Sequence, residues 1–254
     1  MKRIITISVL TFSNANASDG RFSFTSGIDY SSGHYGQSES TRIKYVPIIT
    51  KYDKDDWQLK LTIPWIEVDG PGGATGGDSK LIIEDNINKH SRQSGLGDIV
   101  AGLTYTAIES PQYKFVLDVG AKVKFGTASE KKGLGTGEND YSAQADAYKT
   151  FEKLTLLSTV GYRVIGNPDS SEYKLRNVWY GTLGATYRVN ATNTMGLLLD
   201  LRQAAWEFNT NIREYTLYYS HRFNPTYSLQ SYITSGDTRS SVDLGAGMML
   251  NVRF

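Results

Sequence analysis

The sequence predicts an all-β protein, a transmembrane antiparallel up-and-down β-barrel of 12 strands. Three observations indicate this fold: many short segments alternate between apolar and polar residues, short and long connections alternate along the chain, and aromatic residues gather at segment ends. Neighbouring side chains of a strand point to opposite faces, so each segment can contact lipid on one face and a polar interior on the other. The predicted location is the bacterial cell outer membrane, where such barrels occur.

The last segment of the chain, 241 to 254, shows the alternation most clearly and ends on an aromatic residue. One set of alternate positions is apolar, and the other is polar or glycine. The predicted outward residues are Val242, Leu244, Ala246, Met248, Leu250, Val252 and Phe254. The predicted inward residues are Asp243, Gly245, Gly247, Asn251 and Arg253.

The composition is compatible with a barrel although its average resembles that of a soluble domain. Hydrophobic residues make up 39% of the chain and the mean hydropathy is −0.37. Only alternate residues of a spanning strand face hydrocarbon, which keeps this average low. The 17 Tyr, 9 Phe and 4 Trp suit aromatic girdles, and the lack of Cys excludes a disulfide framework. The net charge of +1 without a basic patch argues against a nucleic-acid partner.

The N-terminus has the pattern of a secretory signal. Lys2 and Arg3 precede a short apolar run at 4 to 12, and Ala15-Asn16-Ala17 has the small-x-small form of a cleavage site. We therefore expect a signal peptide at 1–17 and a barrel domain at 18–254. Since polar residues interrupt the run, a disordered or truncated leader is the alternative interpretation.

Twelve segments with a period of two are the predicted strands. The clearest are Trp57 to Val68 and Tyr113 to Phe125, because neither outward set contains a charge. Pro47 and Pro64 lie inside segments and cannot donate to a strand ladder, so we expect bulges there. The segments are 22–30, 42–52, 57–68, 96–107, 113–125, 141–151, 154–165, 178–188, 194–202, 213–223, 227–235 and 241–254.

The connections alternate in length, as 12 strands require when both termini are periplasmic. The short ones are 53–56, 108–112, 152–153, 189–193 and 224–226, and the long ones are 31–41, 69–95, 126–140, 166–177, 203–212 and 236–240. The glycines of loop 69–95 allow two interpretations, a gate over the mouth or a mobile surface loop. Glu84 and Asp85 in this loop lack the oxygen array of a calcium site.

Charged residues at inward positions are the candidate pore-lining groups. All inward charges taken together balance, which argues against a strong preference for cations or anions. The cations are Lys60, Lys122, Lys124, Arg163, Arg202 and Arg253, and the acids are Asp98, Asp118, Asp146, Asp200, Glu214 and Asp243. They can line a passage or simply tie strands together. A turn centred on Ser110 would place Asp98 opposite Lys122, with Tyr105 facing Phe115 outside. The candidates are Asp98, Asp118, Lys122, Asp146, Arg163, Asp200, Arg202, Glu214 and Asp243.

Apolar and aromatic residues also fall at inward positions, so the predicted interior is partly apolar. Such a surface suits an uncharged aromatic solute better than a salt. It could equally plug part of the lumen. The residues are Val116, Tyr148, Leu157, Tyr180, Leu198, Tyr218, Tyr232 and Met249.

Enzymatic function is not supported by the residues present. His34, His90 and His221 are the three histidines of the chain, and the first two fall in predicted loops. His221 has outward parity, and no Ser-His-acid or paired-acid pattern accompanies it. We therefore predict no catalytic residues, no cofactor and no metal site.

Four motifs resemble a known family. The chain reads SGLGDI at 94–99, VAGLTY at 100–105, TGENDYS at 136–142 and VGYRVIGNP at 160–168. This combination resembles the outer-membrane proteins grouped as the "putative MetA-pathway of phenol degradation" family, over most of the chain. The resemblance implies a twelve-stranded barrel connected with uptake of aromatic or hydrophobic compounds, and it implies no catalytic residues.

The function predicted from these observations is that of an outer-membrane channel. It would pass small hydrophobic or aromatic molecules by passive diffusion through a polar, charge-balanced lumen. The expected partners are outer-membrane lipids and the solute, and the expected state is a monomer. The alternative is a structural or adhesive barrel acting through its outer loops, and an outer-membrane hydrolase is the least favoured class.

Overall fold

The computed structural model describes residues 20–71, 90–167 and 174–254, and most of them lie in strands. Within these ranges, a 3-10 turn at Glu130–Lys132 interrupts one loop. No helix within these ranges is long and apolar enough to cross a lipid bilayer. The strands are β1 (Arg21–Gly33), β2 (Thr41–Lys54), β3 (Trp57–Pro71), β4 (His90–Leu96), β5 (Ile99–Ser110), β6 (Phe115–Phe125), β7 (Asp140–Phe151), β8 (Leu154–Val164), β9 (Val178–Arg188), β10 (Asn193–Arg202), β11 (Ile212–Arg222), β12 (Tyr227–Gly236) and β13 (Leu244–Arg253).

The strands form one closed antiparallel barrel. Each strand pairs with its sequence neighbours, and β1 pairs with β13 to close the ring. Strands β4 and β5 both pair with β3 and follow each other end to end, separated only by Gly97 and Asp98. They therefore act as one spanning strand, and the predicted 12-stranded up-and-down barrel is confirmed. Strand β4, at the long-loop end, pairs with β3 alone, while the other strands are paired on both sides, as spanning a bilayer requires.

The predicted bulge at Pro47 is wrong, whereas the ladder is irregular beside Pro64. The two prolines face each other in an unbroken β2–β3 register. Directly opposed antiparallel residues alternate between hydrogen-bonded and non-hydrogen-bonded sites, and a proline pair fits a non-hydrogen-bonded site without disturbing the ladder. On the other side of β3, Thr62 lies opposite Val100 and Trp65 lies opposite Leu96, so the partner chain has one extra residue beside Pro64. The irregularity lies in the next strand, at the β4–β5 interruption, where Gly97 N donates to Pro64 O at 2.8 Å.

The outer surface is a band of exposed apolar side chains. Leu59, Leu197 and Leu244 are 52%, 54% and 62% exposed, because they face away from the barrel. Aromatic pairs lie near the strand ends, as the predicted girdles require. Phe22 with Tyr52 and Trp57 with Tyr105 lie toward the short turns, and Tyr162 with Trp179 lies toward the long loops.

The predicted β5–β6 register is wrong. The turn occupies 111–114 rather than 108–112, and the register shifts between Thr106 and Ile108. Lys122 consequently lies opposite Gly102 rather than Asp98. On the outer face, Tyr105 lies opposite Val119 rather than Phe115.

The last strand begins later than predicted. Strand β13 starts at Leu244, so Val242 and Asp243 precede it. Val242 is fully buried rather than outward. Its backbone N–H donates to Glu214 Oε1 at 3.0 Å, which draws the preceding loop onto the barrel. The alternation from Leu244 to Val252 is confirmed.

Candidate functional site inside the barrel

The inner wall has two unlike halves. The first half, which we call the apolar arc, lies on the five adjacent strands β12, β13, β1, β2 and β3. Its apolar and aromatic inward residues lie mainly on β2 and β3, with one each on β12 and β13, whereas the inward residues of β1 are polar or glycine. The residues of the apolar arc are Tyr45, Pro47, Ile49, Pro64, Ile66, Val68, Tyr232 and Met249.

The opposite half, which we call the charged arc, lies on strands β6 to β11. It carries most of the inward charges, and many of these side chains remain partly exposed although they face the interior. Apolar and aromatic residues lie between them on the same inner face, namely Val116, Tyr148, Leu157, Tyr180, Leu198 and Tyr218. Partial exposure on the inner face means that solvent-accessible space adjoins this wall. The residues of the charged arc are Asp118, Lys122, Lys124, Gln144, Asp146, Arg163, Thr182, Asp200, Arg202 and Glu214.

A hydrogen-bonded chain runs across the middle of the charged arc. Lys122 Nζ donates to Gln144 Oε1 at 2.5 Å, and the Gln144 amide donates to Asp146. Asp146 also accepts a bond of 2.5 Å from Thr159 Oγ1. The structure thus joins the predicted residues Lys122 and Asp146 through Gln144, which the sequence analysis did not single out. Tyr180 Oη also donates to Gln144 Oε1, at 3.3 Å.

The remaining inward charges of this arc lie beside one another across neighbouring strands. The Arg163 guanidinium lies 5.8 Å from the Tyr180 ring centroid, within cation–π range. Asp200 accepts a 2.6 Å bond from Thr182 Oγ1 and lies opposite Glu214. Arg202 lies two residues after Asp200 on β10 and is opposite Tyr180 on β9.

Two carboxylates face each other at one point of this wall. Asp118 on β6 lies directly opposite Asp146 on β7. Its partner on the other side is Thr106 of β5. The structure therefore places Asp118 near the Lys122 chain but gives it a like-charged cross-strand neighbour.

Asp98 lies at the outer mouth and not on a strand. Its carboxylate pairs with Lys124 Nζ at 3.1 Å, and the same ammonium lies 3.2 Å from Asp140. The Lys124 and Asp98 side chains are each 13% exposed, and Asp140 is 5% exposed. The lysine balances much of the charge of the two carboxylates. We call these three residues the Lys124 latch.

The latch holds loop 126–139 inside the mouth. Ala128 N donates to Asp98 Oδ1 at 3.0 Å, and Lys132 Nζ donates to Ser94 O at 3.1 Å. Leu134 at the loop tip is only 1% exposed and packs on inward residues of β2 and β3. The loop therefore lies against the apolar arc. Its contacts there are Tyr45, Ile66 and Val68.

The sequence analysis placed a possible gate in loop 69–95, whose central part lies outside the described residues. Loop 126–139 is the segment that the structure shows inside the mouth. A signal for it exists in the sequence, since Leu134 is a lone apolar residue between Gly133 and Gly135. Gly133 has a φ of 65°, which suits glycine and ends the 3-10 turn before the leucine.

Other outer loops also fold onto the barrel. Leu175 and Ala205, from two different loops, pack with Ile165 and Val178 at exposures of 6% or less. Asp243 lies in the loop before β13, where its carboxylate contacts His34 Nδ1 at 2.7 Å. The structure therefore places this predicted pore-lining residue at the rim, with half of its side chain exposed.

Tyr35 belongs to the same rim. Burial raises the pKa of its phenol above the usual range, and a hydrogen bond with Ser31 partly opposes the shift. The carboxylates of Glu214, Asp29 and Asp243 add to the raised pKa because they disfavour a phenolate. Tyr35 therefore remains a neutral phenol beside these acids.

Three inward tyrosines lie flat against the wall because each faces a glycine on the next strand. Tyr180 is opposite Gly161, Tyr218 is opposite Gly196, and Tyr232 is opposite Gly247. A Cβ atom on any of these glycines would fall 2.3 to 2.5 Å from the tyrosine ring. The rings thus cover backbone instead of projecting across the lumen.

Asp29 is an inward acid that the sequence analysis missed. It lies on β1 within the apolar arc, is 3% exposed and accepts a 2.7 Å hydrogen bond from Tyr232 Oη. The sequence indicates its position, because Asp29 falls on the same alternate positions of β1 as Thr25 and Ser31, which face inward.

The short-turn mouth carries an excess of positive charge. Ser23 on β1 lies opposite both Lys51 and Arg253, so the two cations flank it on the inner face. Arg21 and Arg222 lie on the same inner face of β1 and β11 near this end. We call these four cations the basic mouth. Asp53 on β2 is an acid next to these cations, since it lies opposite Arg21 on β1.

The described residues offer little for catalysis or metal binding. Within 20–71, 90–167 and 174–254, no group of three His, Cys, Asp or Glu side chains could hold a metal ion. His221 faces outward and its Nδ1 lies 2.6 Å from Asn193 Oδ1 on the next strand. The residues two places away on its strand face are Tyr219 and Phe223, which provide no nucleophile comparable to serine.

Comparison with known proteins supports the same architecture. A family model described as "Putative MetA-pathway of phenol degradation" matches residues 13–204. The NanC porin is similar with a TM-score of 0.59 at 11% identity, covering 91% of this chain and 98% of that chain. The KdgM porin is similar with a TM-score of 0.52 at 10% identity, covering 91% and 98%.

The translocator domain of the autotransporter NalP from Neisseria meningitidis is also similar. Its TM-score is 0.53 at 7% identity, covering 95% of this chain and 90% of that chain. Comparison with curated protein sequences found no match. At these identities the likeness establishes the barrel fold. Together with the exposed apolar band, it places the chain in the bacterial outer membrane.

Proposed function

The chain belongs to the family described as "Putative MetA-pathway of phenol degradation", and from this premise we propose that it is an outer-membrane channel for small hydrophobic or aromatic molecules. Solutes cross by diffusion through the lumen, with no catalytic step. The barrel acts as a monomer in this proposal, since closing the sheet requires no second chain. Residues 1–17 serve as the export signal, and they lie outside the described residues.

The observation that carries this proposal is the division of the lumen into an apolar arc and a charged arc. A small aromatic solute with a hydroxyl group can lie with its ring against Tyr232, the partly exposed aromatic of the apolar arc, and its hydroxyl toward the charged arc. Binding sites for small molecules commonly combine an apolar surface with a few polar groups. The fold alone does not determine which molecule is transported, since the similar NalP barrel is a translocator.

The outer loops favour a channel over an adhesin. Adhesion uses loops that project from the surface, whereas Leu134, Leu175 and Ala205 are buried against the barrel. Loop 126–139 covers one side of the mouth, above the apolar arc. The loop therefore buries the apolar residues on that side of the mouth.

The test is liposome swelling with neutral solutes that do not cross lipid unaided. We expect phenyl glucoside to enter proteoliposomes faster than a disaccharide of similar size, because its ring can contact the apolar arc. Tyr232→Gln removes this partly exposed ring and leaves a polar side chain in the arc, so it should reduce the preference for phenyl glucoside. Asp200→Asn, in the charged arc, serves as the matched control and should retain that preference.

Two results would contradict the proposal. The first is equal entry of both solutes at the rate of empty liposomes, which would remove the channel itself. The second is faster entry of the disaccharide, which would leave a channel but reverse its solute class.

A further inference from the structure

Charged residues also lie on the outside of the barrel, where they cluster on β2, β3 and β4 near the long loops. Their side chains have outward parity, next to the interfacial aromatics Tyr30 and Trp65. Charges on the lipid face are costly at mid-bilayer and tolerated near the interface. We call this cluster the outer charged patch. Its residues are Arg42, Lys44, Glu67, Asp69, His90 and Arg92.

The strand register arranges the patch in two rows. In the first row, Tyr30 lies opposite Lys44, which lies opposite Glu67. In the second row, Asp69 lies between Arg42 and Arg92. Each acid is therefore flanked by cations from neighbouring strands, which fixes the positions of the cationic groups.

The acids lie beneath the cations. Glu67 Oε1 accepts from Lys44 Nζ at 2.9 Å and from Arg92 Nη2 at 2.8 Å. The Glu67 side chain is 12% exposed, while those of Lys44 and Arg92 are 43% and 60% exposed. The surface presented to the surroundings is thus mainly cationic.

The second acid is covered in the same way. Asp69 Oδ1 lies 2.7 Å from His90 Nε2, with side-chain exposures of 24% and 59%. An open cavity of about 220 Å³ lies between the rows. It is lined by Tyr30, Arg42, Lys44, Glu67, Asp69 and Arg92.

We propose that the outer charged patch binds the phosphorylated sugar headgroup of an outer-leaflet glycolipid of the lipid A type. Arg42, Lys44 and Arg92 hold the phosphate groups, because guanidinium and ammonium groups form strong charge-assisted bonds with phosphate. Acyl chains of the same lipid lie below, against the exposed rings of Tyr30 and Trp65. The patch lies on the side of the barrel facing the outer leaflet, as the long loops define it.

The inference is independent of what crosses the lumen. The lining residues face away from the barrel interior, and none of them belongs to the apolar arc or the charged arc. The channel proposal and the glycolipid proposal can therefore fail separately.

The experiment measures lipid binding to the detergent-solubilised full barrel by native mass spectrometry. The probes are bisphosphorylated lipid A, the same lipid without phosphates, and phosphatidylglycerol. The test variant carries Arg42→Gln, Lys44→Gln and Arg92→Gln. The matched control is Arg213→Gln, which removes an outward arginine at the same end of the barrel, half exposed and paired with Asp237.

We expect the triple variant, and separately the removal of phosphates, to weaken binding by about tenfold or more, because three charge-assisted contacts are lost. Arg213→Gln should bind lipid A as the unchanged protein does. Equal binding by the triple variant, or equal binding of the phosphate-free lipid, would overturn the proposal. Equal binding of phosphatidylglycerol would also overturn it, since the patch would then recognise phosphate alone.

Heat-modifiable gel mobility verifies that each variant is folded before binding is measured. Should the triple variant fail this check, the single change Arg92→Gln replaces it, since that side chain is largely exposed. The single variant should still weaken lipid A binding, and unchanged binding would overturn the proposal.

Discussion

The ring of Tyr232 lies across the backbone of Gly247 on the neighbouring strand. A Cβ atom at Gly247 would fall 2.4 Å from Tyr232 Cζ, closer than atoms approach in packed proteins. The same relation joins Tyr218 to Gly196. The glycines thus leave room for large side chains that would otherwise project into the lumen.

Gly196→Ala and Gly247→Ala should each destabilise the barrel, because the added methyl group must displace a tyrosine ring. Overpacking of this kind costs about 1 to 3 kcal/mol. The free energy of unfolding in urea, measured in lipid vesicles, checks this. Gly102→Ala is the control, since its new Cβ would be 3.3 Å from the nearest atom, in the flexible side chain of Lys122. A loss at Gly102 equal to that at Gly247 would contradict the explanation.

The hydroxyl group of Tyr232 holds the buried Asp29 carboxylate, so Tyr232→Phe should destabilise the barrel. Hydrogen bonds to charged groups contribute about 1.5 to 3 kcal/mol. In an Asp29→Asn background the loss should be smaller, since the acceptor is no longer charged. Urea unfolding of the two single variants and the double variant gives the coupling. Additive losses would show that the two side chains act independently.

The strand pattern was largely predictable because the two solvents of a barrel impose a period of two on every strand. Leu59 and Leu197 face lipid, and their places in the alternation along each strand were enough to predict this. The 12-strand count followed from counting these period-two segments, and the alternation of short turns and long loops supported it independently. Neither inference required knowledge of side-chain contacts.

The pairing of inward charges was not predictable in the same way. One extra residue in β5 and a later turn changed the partner of Lys122 from Asp98 to Gly102. A turn with positive φ at Lys114 leaves no glycine signal in the sequence. Register depends on such local backbone detail, whereas parity does not.

The inserted loop was missed for a related reason. Leu134 is buried by contacts with residues of β2 and β3, about 70 to 90 positions earlier in the chain. Periodicity describes neighbours on one strand and carries no information about such distant contacts. A gate was therefore expected in the longer, glycine-rich loop 69–95 instead.

Breaking the Lys124 latch should open the outer mouth. In Lys124→Met, Asp98 and Asp140 lose their shared cation, and the two buried carboxylates then repel each other. Loop 126–139 should leave the mouth more often, which raises the single-channel conductance in planar bilayers. Lys131→Met removes an exposed lysine of the same loop and should leave conductance unchanged. Unchanged conductance in Lys124→Met would show that the loop does not restrict ion flow.

The loop after β12 should lose one stabilising contact in acid. A hydrogen bond from Arg213 lowers the pKa of the Asp237 carboxyl below its usual range. A depressed folded-state pKa means that the contact stabilises the loop above the unfolded pKa and is lost as the pH falls through the folded value. Carbon-13 NMR titration should show the pKa of Asp237 rising in Arg213→Gln. An identical titration curve in that variant would exclude the arginine as the cause.

The basic mouth should favour anions at the short-turn end. Lys51 and Arg253 flank Ser23 on the inner face, and clefts lined by one sign of charge concentrate counter-ions. Arg222→Gln with Arg253→Gln should lower the anion-to-cation permeability ratio, by about twofold or more at low salt. Reversal potentials across a KCl gradient measure this ratio. The effect should shrink at about 1 M salt, where the screening length is about 3 Å. Arg92→Gln, outside the barrel, is the control, and an equal shift in that variant would place the selectivity elsewhere.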